Sequence, residues 1–352
     1  MQSRLLLLLA LCLSGDAFGW GAQGHEVIGA IADELLLPNA SLRVHSALGM
    51  PLRVASTWAD CVKDVAHSDG GFVYQPDPRF HAACAAFETP EGITRMEDYV
   101  ARNWDTCLPQ PGDDPCHKQY HYTDVAVQHN DYELGFAGTS DHDVVAAINA
   151  AITVLLIGPP APAPFSIKDE KEALLVLAHL VGDLHQPLHV GAVYIDAHNH
   201  PTNPDAAGHH LDPKTETRGG NSITDGSTNL HAEWDQVLRN LDPTHISIKM
   251  INEARAVPAT PGDITIWAQI WASDTVMVSH TAFKGISYTH TGTTKVHWTA
   301  HFSDRTAYLV TKRKVQGAQL TKAGAHLAQI LNIRWVWALS RANADSILKA
   351  VA

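Results

Sequence analysis

The chain has 352 residues, a formal net charge of −12 and 18% charged residues. That length is ample for a large core in one or two domains. The acidic balance argues against the broad phosphate-neutralising patch of a duplex-binding module. It does not exclude a nucleic-acid substrate, because bound cations can supply positive charge locally.

Arg4, the apolar run LLLLLALCL (residues 5–13) and a small-residue exit at Ala17-Phe18-Gly19 have the layout of a secretory signal. The run is shorter than the roughly 20 apolar residues of a permanent membrane span. Cleavage after Gly19 would make Trp20 the first residue of a secreted or periplasmic chain; a cut nearer Ala17 fits as well. Cys12 would leave with the signal, so Cys61, Cys84, Cys107 and Cys116 remain. In an exported protein an even count favours disulfides. Cys107 and Cys116 flank a Pro/Gly-rich loop and are the preferred pair, which leaves Cys61 with Cys84. No Cys-x-x-Cys spacing supports a cysteine zinc site.

Helical periodicity then dominates. Residues 24–36 carry apolar positions at helical intervals and stop before Pro38. DHDVVAAINAAITVLLI (141–157) opens with an acidic first turn. Its apolar part is interrupted by Asn149 and closed by Pro159-Pro160, which predicts a buried helix and no stable membrane association. Residues 166–185 form the clearest helix, with Ser166 as cap, acidic first turns, an apolar face and Pro187 as the stop. Residues 230–241 and 320–339 complete the set. Residues 191–229, rich in Gly, Asn, Asp, His and Thr, predict a long loop of the kind that is usually functional or disordered. Strand signals are few and no repeat or linker is visible. The expectation is a mainly α protein, one helical domain over residues 20–352, acting as a monomer.

Several polar residues do not belong on such helices. His179 and Asp183 are four apart and share a helix face among Leu174, Leu175, Leu177 and Leu180. A buried pair of this kind needs partners. Taken alone it reads as a satisfied core pair. The spacing recurs at His231 and Asp235, and His189 follows Pro187, where the chain has left the helix. HYTD (121–124) adds His121 and Asp124, WAD adds Asp60, and His25 opens the first helix. Imidazole and carboxylate together are ligand chemistry for zinc and related hydrolytic metals. His185, two residues past Asp183, points away from the shared face and reads as structural. The tract HNHPTNPDAAGHH (198–210) reads as a solvated loop or a loose metal binder.

WGAQGHE, WAD, HYTD, HLVGDLHQPLH and GGN followed by NLHAEWD, in that order, resemble the trinuclear-zinc nucleases and 3′-nucleotidases of the S-one and P-one type, relatives of zinc-dependent phospholipase C. The resemblance implies three zinc ions per chain. One would sit on Asp60, His121, His179 and Asp183, and a close neighbour on Asp183, His25 and the amine and carbonyl of Trp20. The third would take His189, His231 and Asp235. It also implies hydroxide attack at phosphorus, Asp124 orienting the attacking water, and Lys63 against the scissile phosphate. Tyr122 would stack the base, with Ile195 as the opposite wall. The substrates so implied are single-stranded DNA and RNA and 3′-nucleotides, with 5′-phosphate products. Two rivals remain: a zinc-dependent phospholipase C and a non-catalytic exported zinc-binding protein. The five-residue step from Trp20 to His25 and the aspartate at Asp235 favour the nuclease over the lipase.

Overall fold

The clearest helical signal becomes the helix Glu170–Asp183, buried on every side from Glu172 onwards. Its apolar residues form no single stripe, so it takes the centre of a helical layer rather than a surface. A computed structural model describes residues 20–208, 211–237, 240–291 and 297–351. The predicted signal, residues 1–19, lies outside the described residues. The architecture is mainly α, with four small sheets of two to four strands among the described residues.

The central helix starts later than its sequence pattern suggests. Asp169, not Ser166, is the cap, accepting the amide of Glu172 at 2.8 Å. Ser166 is engaged elsewhere: its amide donates to Asn103, and its hydroxyl accepts from Arg102. Arg102 also grips the buried Glu172 carboxylate with two 2.9 Å hydrogen bonds. At the other end the helix stops at Asp183, and Pro187 opens a separate short turn, Pro187–His189.

Helix Val144–Ile157 packs against the central helix. It is capped by Asp143, which accepts the amides of Val145 and Ala146. Helix Ala22–Leu35 also touches the central helix and packs mainly against Leu52–Ala55 and the 47-residue helix Arg305–Val351. That last contact is close: a Cβ on Gly324 would lie 2.6 Å from the Cβ of Ile31, so only glycine permits the approach.

Four helices of eight residues or more carry no clear sequence signal: Pro38–Leu48, Pro90–Arg102, Ile248–Arg255 and Trp267–Ala282. In the last, the buried stripe includes Thr275 and Ser279, which weakens the apolar period although both hydroxyls are satisfied by the helix's own carbonyls. The 230–241 pattern yields only Leu230–Asp235, capped by Asn229.

The expectation of few strands is incomplete. Four strands run in the order Thr228–Asn229, Ile223–Asp225, His297–Phe302, Ile286–Thr291, with the middle pair parallel. Two of them fall inside the predicted loop 191–229, and strands of two or three residues are too short to show a period of two. Ile223 and Trp298 face each other in register and join Leu188, Leu230, Trp234 and Tyr308 in a second core. The first core is helical and includes Leu184 and Val190. The segment 184–190 therefore supplies side chains to both cores and fixes where they meet.

Both expected disulfides are present, Cys61–Cys84 and Cys107–Cys116. Among the described residues no helix is long and apolar enough to cross a membrane.

Candidate metal centre

Five chain segments deliver the polar residues to the junction of the two cores, the first being helix Ala22–Leu35, which carries His25. Asp60 lies in the turn Trp58–Cys61, tied down by the Cys61–Cys84 disulfide, and Lys63 follows in the next turn. His121 to Asp124 leave the helix Cys116–Gln119 and run beside 189–192: Thr123 donates to the carbonyl of His189, and Val125 to that of Val190. His179 and Asp183 come from the central helix, and His189 from the turn after it. His231 and Asp235 share the short helix Leu230–Asp235.

Asp183 is the hub. Its carboxylate oxygens lie 2.8 Å from His121 Nδ1, 3.1 Å from His179 Nε2, 3.3 Å from His25 Nε2 and 3.6 Å from His189 Nδ1. His179 Nε2 is also 3.5 Å from Asp60, and the rings of His25 and His179 stack 3.7 Å apart. Three groups of donor atoms fall within 4.8 Å of one another: His25/Asp60/His179, His121/His179/Asp183 and His189/His231/Asp235. The first two overlap more than the resemblance implies, since His25 lies with Asp60 as well as with Asp183.

Backbone carbonyls set the tautomers. His179 Nδ1 donates to Ser56, His189 Nδ1 to His121 and His231 Nδ1 to Gly219, at 2.7, 2.8 and 2.9 Å. A carbonyl only accepts, so in each neutral ring Nε2 is left with a lone pair. All three Nε2 atoms are buried without a hydrogen-bond partner, as are both ring nitrogens of His25 and Oδ1 of Asp183. His179 Nε2 thus faces the carboxylates of Asp183 and Asp60, and His231 Nε2 faces Asp235 at 3.7 Å. Acceptor opposed to acceptor in a buried site demands a proton or a metal cation between them. The donor set suits zinc.

The charges agree with that demand. Burial lowers the affinity of His25 and His189 for a proton and brings His121 and His231 down to about 3, which favours the neutral, metal-binding form. His179 is the exception: burial opposes its charge, but Asp183 and Asp60 outweigh it. Burial pushes Asp60 and Asp183 up, yet Lys63 and His179 hold Asp60 down, and His179, His189 and His121 hold Asp183 down. Asp235 is pushed well up, by burial first and then by Asp183 and Asp60. Lys63 Nζ sits 2.8 Å from Asp60; burial disfavours its charge, and Asp60 and Asp183 restore it.

The remaining expected residues divide. Asp124 is half-buried, and its carboxylate takes the amide of Gly219 while Tyr194 donates to its carbonyl. Burial and the neighbouring Glu216 bring its carboxyl up to about 7. Tyr122 is half-buried beside the charges of Asp124, Asp114 and Arg218. Trp20 is fully buried, its indole donating to the carbonyl of Gly182 at 2.8 Å. Ile195 is not brought to a surface: it is 1% exposed, inside the second core, because its two-residue strand turns it inward. His185 is buried and away from the cluster, bonded to the Val181 carbonyl and to His326.

Sequence reasoning passed over Gln186, whose amide donates to Asp235 at 2.7 Å. It stands inside the quoted HLVGDLHQPLH, and a polar residue between two candidate ligands was its signal. The carbonyls of Ser56 and Gly219 have no side-chain signature at all.

A mainly helical fold thus encloses a buried cluster of imidazoles and carboxylates that could hold metal ions. The family model described as S1/P1 Nuclease matches residues 20–335, and the chain belongs to that family. It is also similar to Nuclease S1 of Aspergillus oryzae, 26% identical over 242 residues. That match covers 66% of this chain and 59% of the Aspergillus protein.

Proposed function

We propose that the protein is an exported zinc-dependent phosphodiesterase, a single nuclease domain over residues 20–352 that hydrolyses single-stranded DNA and RNA to 5′-phosphate products and also dephosphorylates 3′-nucleotides. One observation carries the reading: buried imidazole nitrogens without a hydrogen-bond partner that face carboxylates. Family membership supplies the reaction class.

Asp60, His121, His179 and Asp183 would hold one zinc, with His25 and the terminal amine of Trp20 completing a second beside Asp183. His189, His231 and Asp235 would hold a third. Bound there, zinc supplies Lewis acidity that brings a water's pKa towards neutrality and offsets phosphate charge. Asp124, with its carboxyl near 7, accepts a proton from the attacking water and orients it. Lys63 adds a point charge at the phosphate without the fork that an arginine would provide. Tyr122 offers a ring on which an unpaired base stacks, a contact that tolerates any base and rejects paired ones. The buried Ile195 has no part in this reading. Export rests on the two disulfides and on a family match that begins at Trp20, immediately after the predicted cleavage.

The test is the zinc-loaded protein offered single-stranded DNA, RNA, a 3′-nucleotide and phosphatidylcholine in parallel. Release of 5′-nucleotides and inorganic phosphate without choline is expected. Choline release alone identifies a lipase, and zinc binding without turnover identifies a storage or buffering protein. Asp124→Asn should keep its zinc and lose about 10²- to 10⁴-fold in rate; loss of metal instead would make Asp124 a ligand.

A further inference from the structure

Beside the metal centre lies a cleft of about 590 Å³ whose wall includes Lys63, Asp64, Gln75, Arg79, Trp104 and Lys118. Its volume is in the range that holds a nucleotide-sized ligand. Lys63 belongs to both places, lining the cleft while its Nζ reaches Asp60. Tyr122 is not among the residues that line it, and the charged groups around Tyr122 are Asp124, Asp114, Asp113 and Arg218 instead. The two aromatic positions therefore serve different places along any bound strand.

Trp104 is built as a platform. Its ring is half-buried and held edge-on by Phe72 at 5.3 Å and by His67 at 5.1 Å. The buried ring of His117 lies near-parallel behind it at 5.8 Å. Three neighbours of that kind fix the plane of an indole, so stacking on it costs little ordering. The charges beside it are partly committed. Arg79 is paired with Asp77, and Lys63 with Asp60, whereas Lys118 makes no ion pair among the described residues. Its field acts on Asp64 and His117.

We propose that this cleft is a second nucleotide subsite, taking an unpaired base on Trp104 and an adjoining backbone phosphate on Lys118. The assignment rests on the nuclease reading above, because the strand that enters the cleft is the one whose scissile phosphate lies by Lys63. An aromatic face next to a cation is the pairing by which single strands are held without sequence preference. A duplex cannot use it, since its bases are already stacked on one another. The cleft thus adds a second requirement for unpaired substrate. In this reading a dinucleotide held at Tyr122 and the scissile phosphate gains nothing from it.

Affinity and turnover of the zinc-loaded, full-length enzyme test this with two probes, the dinucleotide TpT and an eight-residue oligothymidylate. A fluorescein-labelled phosphorothioate version of the octamer reports binding by anisotropy. Trp104→Ala should weaken octamer binding about tenfold, raise KM for the octamer with kcat kept, and leave TpT hydrolysis unchanged. Trp104→Phe should restore most of the loss. Lys118→Gln, a change at the cleft wall, should reduce the slope of log affinity against log salt by about 0.7. Octamer affinity and salt slope unchanged in Trp104→Ala and Lys118→Gln would overturn the subsite, as would equal losses on TpT and the octamer. If the wild-type enzyme hydrolyses neither probe, it is the nuclease reading that fails.

Discussion

His179 and His185 stand six residues apart on one segment, both buried, at 0% and 2% exposure. Their surroundings differ in one respect that matters. His185 spends both nitrogens: Nδ1 donates to the Val181 carbonyl at 2.7 Å, so Nε2 must accept from His326 Nδ1 at 2.8 Å. Trp271 stacks on His326 at 4.4 Å and closes the network. His179 spends only Nδ1, on Ser56, and turns its second nitrogen to two carboxylates. Burial and residue type do not separate a structural imidazole from a ligand. A spare nitrogen facing carboxylates is what makes His179 the candidate ligand of the two.

The comparison can be broken most severely at Asp183. Asp183→Asn leaves four imidazoles around a neutral amide, and should cost more than about 10³-fold in rate together with loss of zinc, read by metal analysis. On the structural side, His185→Ala should keep the full zinc complement but destabilise the fold by about 3 kcal/mol, from a cavity and an orphaned His326 N–H. Urea unfolding checks it, and zinc loss comparable to that of Asp183→Asn would erase the distinction between the two histidines.

A smaller effect is expected at Gly219, which has φ of 55° and whose carbonyl orients His231. A Cβ there would lie 2.1 Å from the Leu188 carbonyl and 3.1 Å from His231 Nδ1. Gly219→Ala should lower zinc affinity about 10- to 100-fold at the His189/His231/Asp235 group alone, measured by competition with a chelator. The smallest effect concerns pH. Burial, with His185 and Lys322, brings His326 down to about 2 from an ordinary value of 6.5. A histidine depressed on folding contributes its full stability above the unfolded pKa and loses it as pH falls. The stability gap between wild type and His326→Phe should therefore narrow by about 2 kcal/mol between pH 6.5 and 5. A gap that is flat with pH would mean that the pair does not stay neutral.

Much of the site was legible because it is local. His179 with Asp183 and His231 with Asp235 follow from the four-residue repeat of a helix face, and His189 from the break that Pro187 imposes. Ile195 shows the limit: its place one residue past Tyr194 on a two-residue strand decides whether it lines a pocket or fills a core, and no period is readable over two residues. Ser166 misled for a related reason. It has the chemistry of a cap, but Arg102 and Asn103, more than sixty residues earlier, claim it first.

By itself the sequence determined the helical class, the order of the polar motifs and which residue types could meet a metal, since these depend on short-range period and side-chain chemistry. Only the tertiary structure decided which nitrogen of each histidine is spent on a carbonyl and which is left over. That choice depends on backbone groups such as Ser56 and Gly219, which come from distant segments and carry no side-chain signal.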